Sequence, residues 1–85
     1  MPRRLLLTDH ARTVIEEREL DLEWVETTAR SPEWEQADLT RPGIVRRFRA
    51  IPERDGRILR VALVETPQEI RIPSAFLDRR ARKPE

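Results

Sequence analysis

The chain has 85 residues, with 17 Lys or Arg against 16 Asp or Glu, a single histidine and no cysteine. A domain this short buries only about 60–65% of its unfolded surface, and the composition excludes a disulfide framework, a thiolate nucleophile, a cysteine zinc site and multi-histidine metal sites. No apolar run approaches the roughly 18 residues that span a bilayer, and Arg3-Arg4 with Leu5 to Leu7 is too short for a signal peptide. A cytoplasmic protein with no membrane attachment, metal or cofactor is therefore expected, folded as one domain with a core over about residues 5–78.

Thr8 is a suitable N-cap for a first helix, because its hydroxyl can accept from a first-turn backbone N–H. Leu7, Ala11, Val14 and Ile15 follow at helical spacing and predict a helix to about Glu19. Asp21 caps a second helix with Leu22, Val25 and Ala29 on one face and Trp24 beside it. Arg30-Ser31-Pro32 ends that helix, since a residue before proline is pushed out of the α region. Only a few residues join the two helices, so they form a hairpin.

Beyond Pro32 the period changes. Glu33 to Gly43 is polar and has room for a short edge strand around Trp34. Ile44 to Ile51 alternates, with Phe48 and Ala50 on one face and Arg47 and Arg49 on the other. Asp55-Gly56 supplies the positive φ of a type I′ hairpin turn. Ile58 to Val64 is nearly all apolar and reads as a central strand covered on both faces. Thr66-Pro67-Gln68 turns the chain into a last strand, Glu69 to Phe76, in which Pro73 requires an edge or a bulge. Residues 79–85 form a basic, frayed tail. The expected fold is α+β, an N-terminal helical hairpin packed on a three- to four-stranded antiparallel sheet.

Charge is unevenly spread. Residues 1–42 hold 6 basic and 10 acidic side chains, and residues 43–85 hold 11 and 6. The asymmetry either makes one face attractive to phosphates or is a solvated surface on which arginine replaces lysine.

Few residues carry chemistry. His10 is the only side chain whose ordinary charge change falls between pH 5 and 8. It sits at the helix flank, where it is either a capping and packing residue or a proton-transfer group whose neutral form the helix N-terminus favours. Arg18 continues the apolar stripe toward the sheet, as a structural ion-pair partner or as an anion clamp. Arg60 interrupts the most apolar strand, with Arg46, Arg47 and Arg49 on its neighbour. Such a cluster either holds a phosphate or forms cross-strand ion pairs with Glu53, Glu65 or Glu69. Ser74 is a phosphate ligand or a turn residue. Trp24 and Trp34 read as core or interface rather than as base-stacking platforms.

Taken together, Leu7-Thr8-Asp9-His10-Ala11-Arg12 with Glu17-Arg18, Asp21-Leu22-Glu23-Trp24-Val25, Ser31-Pro32-Glu33, Phe48-Arg49-Ala50-Ile51-Pro52-Glu53, Gly56-Arg57-Ile58-Leu59-Arg60-Val61 and Ser74-Ala75-Phe76-Leu77-Asp78-Arg79-Arg80 resemble the bacterial domain-of-unknown-function family 4258 over residues 5–80. The helix-then-sheet plan is similar to small RNase toxins of the RelE, ParE and BrnT type. The resemblance implies metal-independent RNA cleavage, with His10 moving the proton, Arg18 and Arg60 clamping the phosphate, and Ser74 as an auxiliary ligand; the strand cluster adds Arg47 and Arg49 as phosphate-binding candidates. RNA, an antitoxin-like protein and a second copy of the chain are the partners it implies. Pro73 departs from the usual β-branched last strand, and the net charge is low for a polyanion binder. A non-catalytic protein-interaction or regulatory module is the other expectation.

Overall fold

The computed structural model describes residues 3–84. The chain runs through strand β1 (Arg4–Leu7), helix α1 (Asp9–Glu17), helix α2 (Leu22–Arg30), and strands β2 (Trp34–Ala37), β3 (Val45–Ile51), β4 (Arg57–Glu65) and β5 (Glu69–Leu77). The sheet order is β1-β5-β4-β3-β2. All neighbours are antiparallel except β1, which lies parallel to β5. The α+β class holds, but the sheet is five-stranded and mixed rather than antiparallel with three or four strands.

The difference is β1. Leu5-Leu6-Leu7 is an apolar run too short for periodicity to distinguish strand from helix, and Leu7 also fits the stripe of α1. In the fold, Leu5 and Leu7 pack on the core while Leu6 turns to the other face. The helical hairpin then carries the chain from this edge of the sheet to the opposite one. The meander of β2 to β5 returns, and its last strand arrives beside β1 running in the same direction.

Local chemistry sets the helix ends. Thr8 accepts from the Ala11 N–H at 3.1 Å, and Asp21 from the Glu23 N–H at 2.8 Å. Helix α1 stops at Glu17, short of the expected Glu19, in a Schellman turn: the Leu20 N–H donates to the Ile15 carbonyl and the Glu19 N–H to that of Glu16. Leu20 and Ile15 are both buried, the apolar contact that accompanies such a turn. The motif places Glu19 at φ 54°, where glycine is normally found. Glu19→Gly is expected to stabilise the fold by about 0.5–1 kcal/mol, read as a raised urea midpoint at unchanged m-value. The Arg54 contact at this position goes to the Glu19 carbonyl and survives the change.

The core lies between the helices and one sheet face. Ala11, Val25 and Ala29 are sealed against Leu59, Val61, Leu63 and Ile72. Leu22, expected on this face, is 52% exposed; Thr28 is fully buried instead, its hydroxyl donating to the Trp24 carbonyl at 2.8 Å. The β3–β4 hairpin forms as expected, with positive φ at Asp55 and Gly56. Its connection is longer than a two-residue turn, because a 3-10 turn at Pro52–Arg54 precedes them. Pro73 sits at a bulge in β5, where the β4–β5 register slips between Ala62 and Val64. No helix is long and apolar enough to cross a membrane among the described residues.

The second sheet face has no helix on it, so β4 is covered by helices on one side only. The basic tail folds back along this open face instead of fraying: the Asp78 N–H donates to the Ile58 carbonyl, and the Asp78 carboxylate and carbonyl accept from the Arg80 and Ala81 N–H groups.

Candidate functional site on the open face of the sheet

Strand register places two rows of side chains across the open face. Phe76, Arg60, Phe48 and Trp34 stand opposite one another on β5, β4, β3 and β2. The neighbouring row is Ser74, Ala62, Arg46 and Gln36. The first row sets one cation, Arg60, between Phe76 and the Phe48–Trp34 pair. Trp34 stacks on Phe48 with centroids 4.8 Å apart and planes within 5°, and the Arg60 guanidinium lies over Phe76 at 4.1 Å. Both are favourable arrangements for π-systems.

The C-terminal tail walls this face. A groove of about 520 Å³ is lined by Trp34, Gln36, Arg46, Phe48, Arg60 and Asp78, with Arg80 to Arg82 from the tail. Four arginines and one aspartate are among its lining residues. Asp78 Oδ2 is 3.2 Å from Arg60 Nη1. Burial lowers the Arg60 guanidinium from its ordinary value, Asp78 opposes that shift, and nearby Arg46 adds to it.

Asp38 organises the loop beside the groove. Its side chain is completely buried. One oxygen accepts from the Thr40 N–H, the Thr40 hydroxyl and the Arg41 N–H at 2.9–3.1 Å; the other takes Arg41 Nη2 at 3.1 Å and Arg46 Nε at 3.4 Å. Those bonds, led by the two from Thr40, hold its carboxyl well below the usual carboxylate range against the opposing effect of burial. Arg46 is thus tied to the loop on one side while lining the groove on the other.

The residues singled out from sequence divide between the two faces. Arg60 and Ser74 share the open face. Arg47 and Arg49 point to the helix side, where Arg47 Nη1 donates to the Ala29 carbonyl at 2.6 Å and Arg49 Nη1 to the Ser31 carbonyl at 2.8 Å. Arg47 also bonds Glu65 at 2.9 Å and Glu35 at 3.4 Å. Both arginines therefore serve the C-terminal end of α2, whose last carbonyls have no helical partner, rather than a phosphate on the groove side. Arg18 does not face the sheet. It is the exposed C-cap of α1, because the Schellman turn ends the helical rotation there and buries Leu20 in its place. His10 is exposed in the first turn of α1, and its side chain makes no hydrogen bond or ion pair among the described residues. The helices pack against the core face, so His10 belongs to the layer opposite Arg60 and Ser74.

The chain matches no family model, no curated protein and no solved structure. Function is therefore read from the groove. Among the described residues, no three carboxylate or imidazole groups converge as metal ligands. The groove offers cations and the Trp34 ring, with the Ser74 hydroxyl in the neighbouring row, a set suited to binding an anion that also carries an aromatic group.

Sequence reasoning overlooked Asp38, Asp78, Phe76 and the tail arginines. Asp38-Leu39-Thr40 carried a usable signal, since an aspartate two residues before a threonine in a polar segment is an Asx-turn pattern. Trp24 packs beside the core as expected, with Arg54 at 5.5 Å, whereas Trp34 lies on the open face.

Proposed function

We propose that this protein is a small toxin-like RNA-binding domain whose recognition surface is the open face of the sheet. The observation that carries this reading is Trp34, stacked on the buried Phe48, in a groove that also holds Arg46, Arg60, Arg80 and Arg82, with Phe76 packed against the Arg60 guanidinium. Stacking on aromatic rings combined with cations along a backbone is how single strands are held without sequence preference. The opposite layer supports the same orientation: residues 9–30 carry seven carboxylates against three arginines, so a polyanion is repelled from the helices and drawn to the sheet.

Trp34 provides the test. In a Trp24→Phe variant it is the only tryptophan, and a short single-stranded oligouridine is expected to quench it. Affinity should fall roughly tenfold or more between about 50 and 200 mM salt, as three phosphate contacts require. Unchanged emission at every RNA concentration, with no anisotropy change on labelled RNA, would sink the reading.

A second reading, metal-independent cleavage, is favoured by Ser74 standing in the row beside Arg60. The 2′-oxygen would attack the adjacent phosphorus and the 5′-oxygen would leave, producing a 2′,3′-cyclic phosphate. His10 is not in the groove, so the proton would need another carrier there. Incubating the same RNA with the protein in EDTA decides it: cyclic-phosphate ends support cleavage, and intact RNA leaves binding alone.

A further inference from the structure

Most sheet arginines that are shielded from solvent are already engaged. Arg47 donates to Ala29, Glu65 and Glu35, Arg49 to Ser31, and Arg46 to Asp38. Arg60 differs. Only 23% of its side chain is exposed, yet it donates no hydrogen bond among the described residues. Its single counter-ion, Asp78, meets one nitrogen at 3.2 Å and does not form the two parallel bonds of a fork-to-fork pair. Its flat face is occupied by Phe76, which fixes the plane of the guanidinium. No buried side-chain nitrogen or oxygen lacks a partner in the described residues, so the idle Arg60 donors open into the groove that it lines. A guanidinium held in one plane by an aromatic face, with donors open to the groove and a single point contact to a carboxylate, is preorganised for an incoming oxyanion.

Asp78 is placed to act as its resident substitute. One carboxylate oxygen lies beside Arg60 while the other accepts from the Arg80 N–H at 2.9 Å, and its own N–H is anchored on Ile58. The same carboxylate therefore neutralises Arg60 and shapes the turn that brings Arg80 and Arg82 to the groove.

We infer that Arg60 is the phosphate subsite of the groove, that a phosphodiester oxygen of single-stranded RNA takes the place Asp78 holds beside it, and that an adjoining base stacks in the Trp34 region. This rests on the RNA-binding reading above and specifies which group on the RNA is recognised. Arg60 contacts the ligand directly; Asp78 is a positioning residue and an internal competitor.

The experiment measures oligouridine affinity by fluorescence anisotropy for the parent chain, Arg60→Gln and Asp78→Asn. Arg60→Gln should bind about 10–100-fold more weakly, the loss of a charge-assisted pair. Asp78→Asn should bind several-fold more tightly, because asparagine keeps an acceptor for the Arg80 N–H but no longer competes for Arg60. The Arg60 Nε–Hε NMR resonance of the parent chain should shift on adding RNA, a readout that persists if Arg60→Gln fails to fold. Parent-level affinity in Arg60→Gln, weaker or unchanged binding in Asp78→Asn, or a static Arg60 resonance in an RNA-saturated sample would each overturn the subsite while leaving RNA binding intact. No binding of oligouridine by the parent chain removes the RNA-binding reading itself.

Discussion

Replacing Arg47 with alanine is expected to destabilise the fold by about 2–3 kcal/mol, a fall in Tm of roughly 10–20 °C for a chain of this size. The side chain is only 12% exposed and joins three elements. Its bond to the Ala29 carbonyl completes the end of α2, and its bonds to Glu35 and Glu65 tie β2 and β4 to β3. Truncation leaves the Ala29 carbonyl without its partner. Glu65 keeps its ion pair with Arg3, and Glu35 is exposed, so the carbonyl and the lost packing dominate the cost. Arg47→Lys separates charge from geometry: an ammonium cannot span all three acceptors, so its stability should lie between alanine and the parent chain. Thermal unfolding followed by circular dichroism measures both. A lysine variant as stable as the parent would mean that charge alone is needed.

Asp38→Asn should loosen the β2–β3 loop and make stability less dependent on acid. The asparagine keeps one acceptor oxygen but loses the charge that holds Arg41 and Arg46. The folded-state carboxyl is held well below its ordinary value of 3.8. A carboxylate with a depressed folded-state value contributes stability that is fully present above its unfolded value and disappears as pH falls through the folded one. The parent chain should therefore exceed Asp38→Asn in urea midpoint by a constant margin from pH 7 down to about pH 5. The margin should then narrow below the ordinary value. A margin that closes between pH 5 and 7 would assign the effect to another group. Arg46, on β3, lines the groove and is held by Asp38, so on the proposed RNA-binding reading the same variant should also weaken oligouridine affinity at neutral pH.

Much of the local structure was legible in the sequence because its causes lie within a few residues. Thr8 and Asp21 begin the helices with side chains that reach the first-turn amides. Pro32 follows the end of α2, Asp55-Gly56 turns the hairpin, and Pro73 falls at the bulge. The alternation along β3, with Phe48 facing away from Arg47, was equally readable, since side chains in a strand point to opposite faces. Arg18 was misplaced because a helical wheel assumes that the helix continues, and the turn around Glu19 ends it one residue earlier. The grouping on the open face was legible only in fragments: Arg60 and Ser74 were singled out, but together with His10, Arg18, Arg47 and Arg49, which lie elsewhere, and not with Phe76 and the tail.

By itself, then, the sequence determined the helix caps, the hairpins, the two-faced character of the strands and the excess of arginine in the second half. The tertiary structure decided which strand face the helices cover, and with it which arginines became structural. Alternation shows that a strand has two faces but carries no sign for which one meets the core. That sign comes from contacts between residues far apart in the chain: β1 joining β5, the helical hairpin sealing Leu59, Val61 and Leu63, and the tail returning to Arg60 through Asp78. Once the helices occupied one face, Arg47 and Arg49 were committed to the end of α2, and Arg60 was left facing the groove.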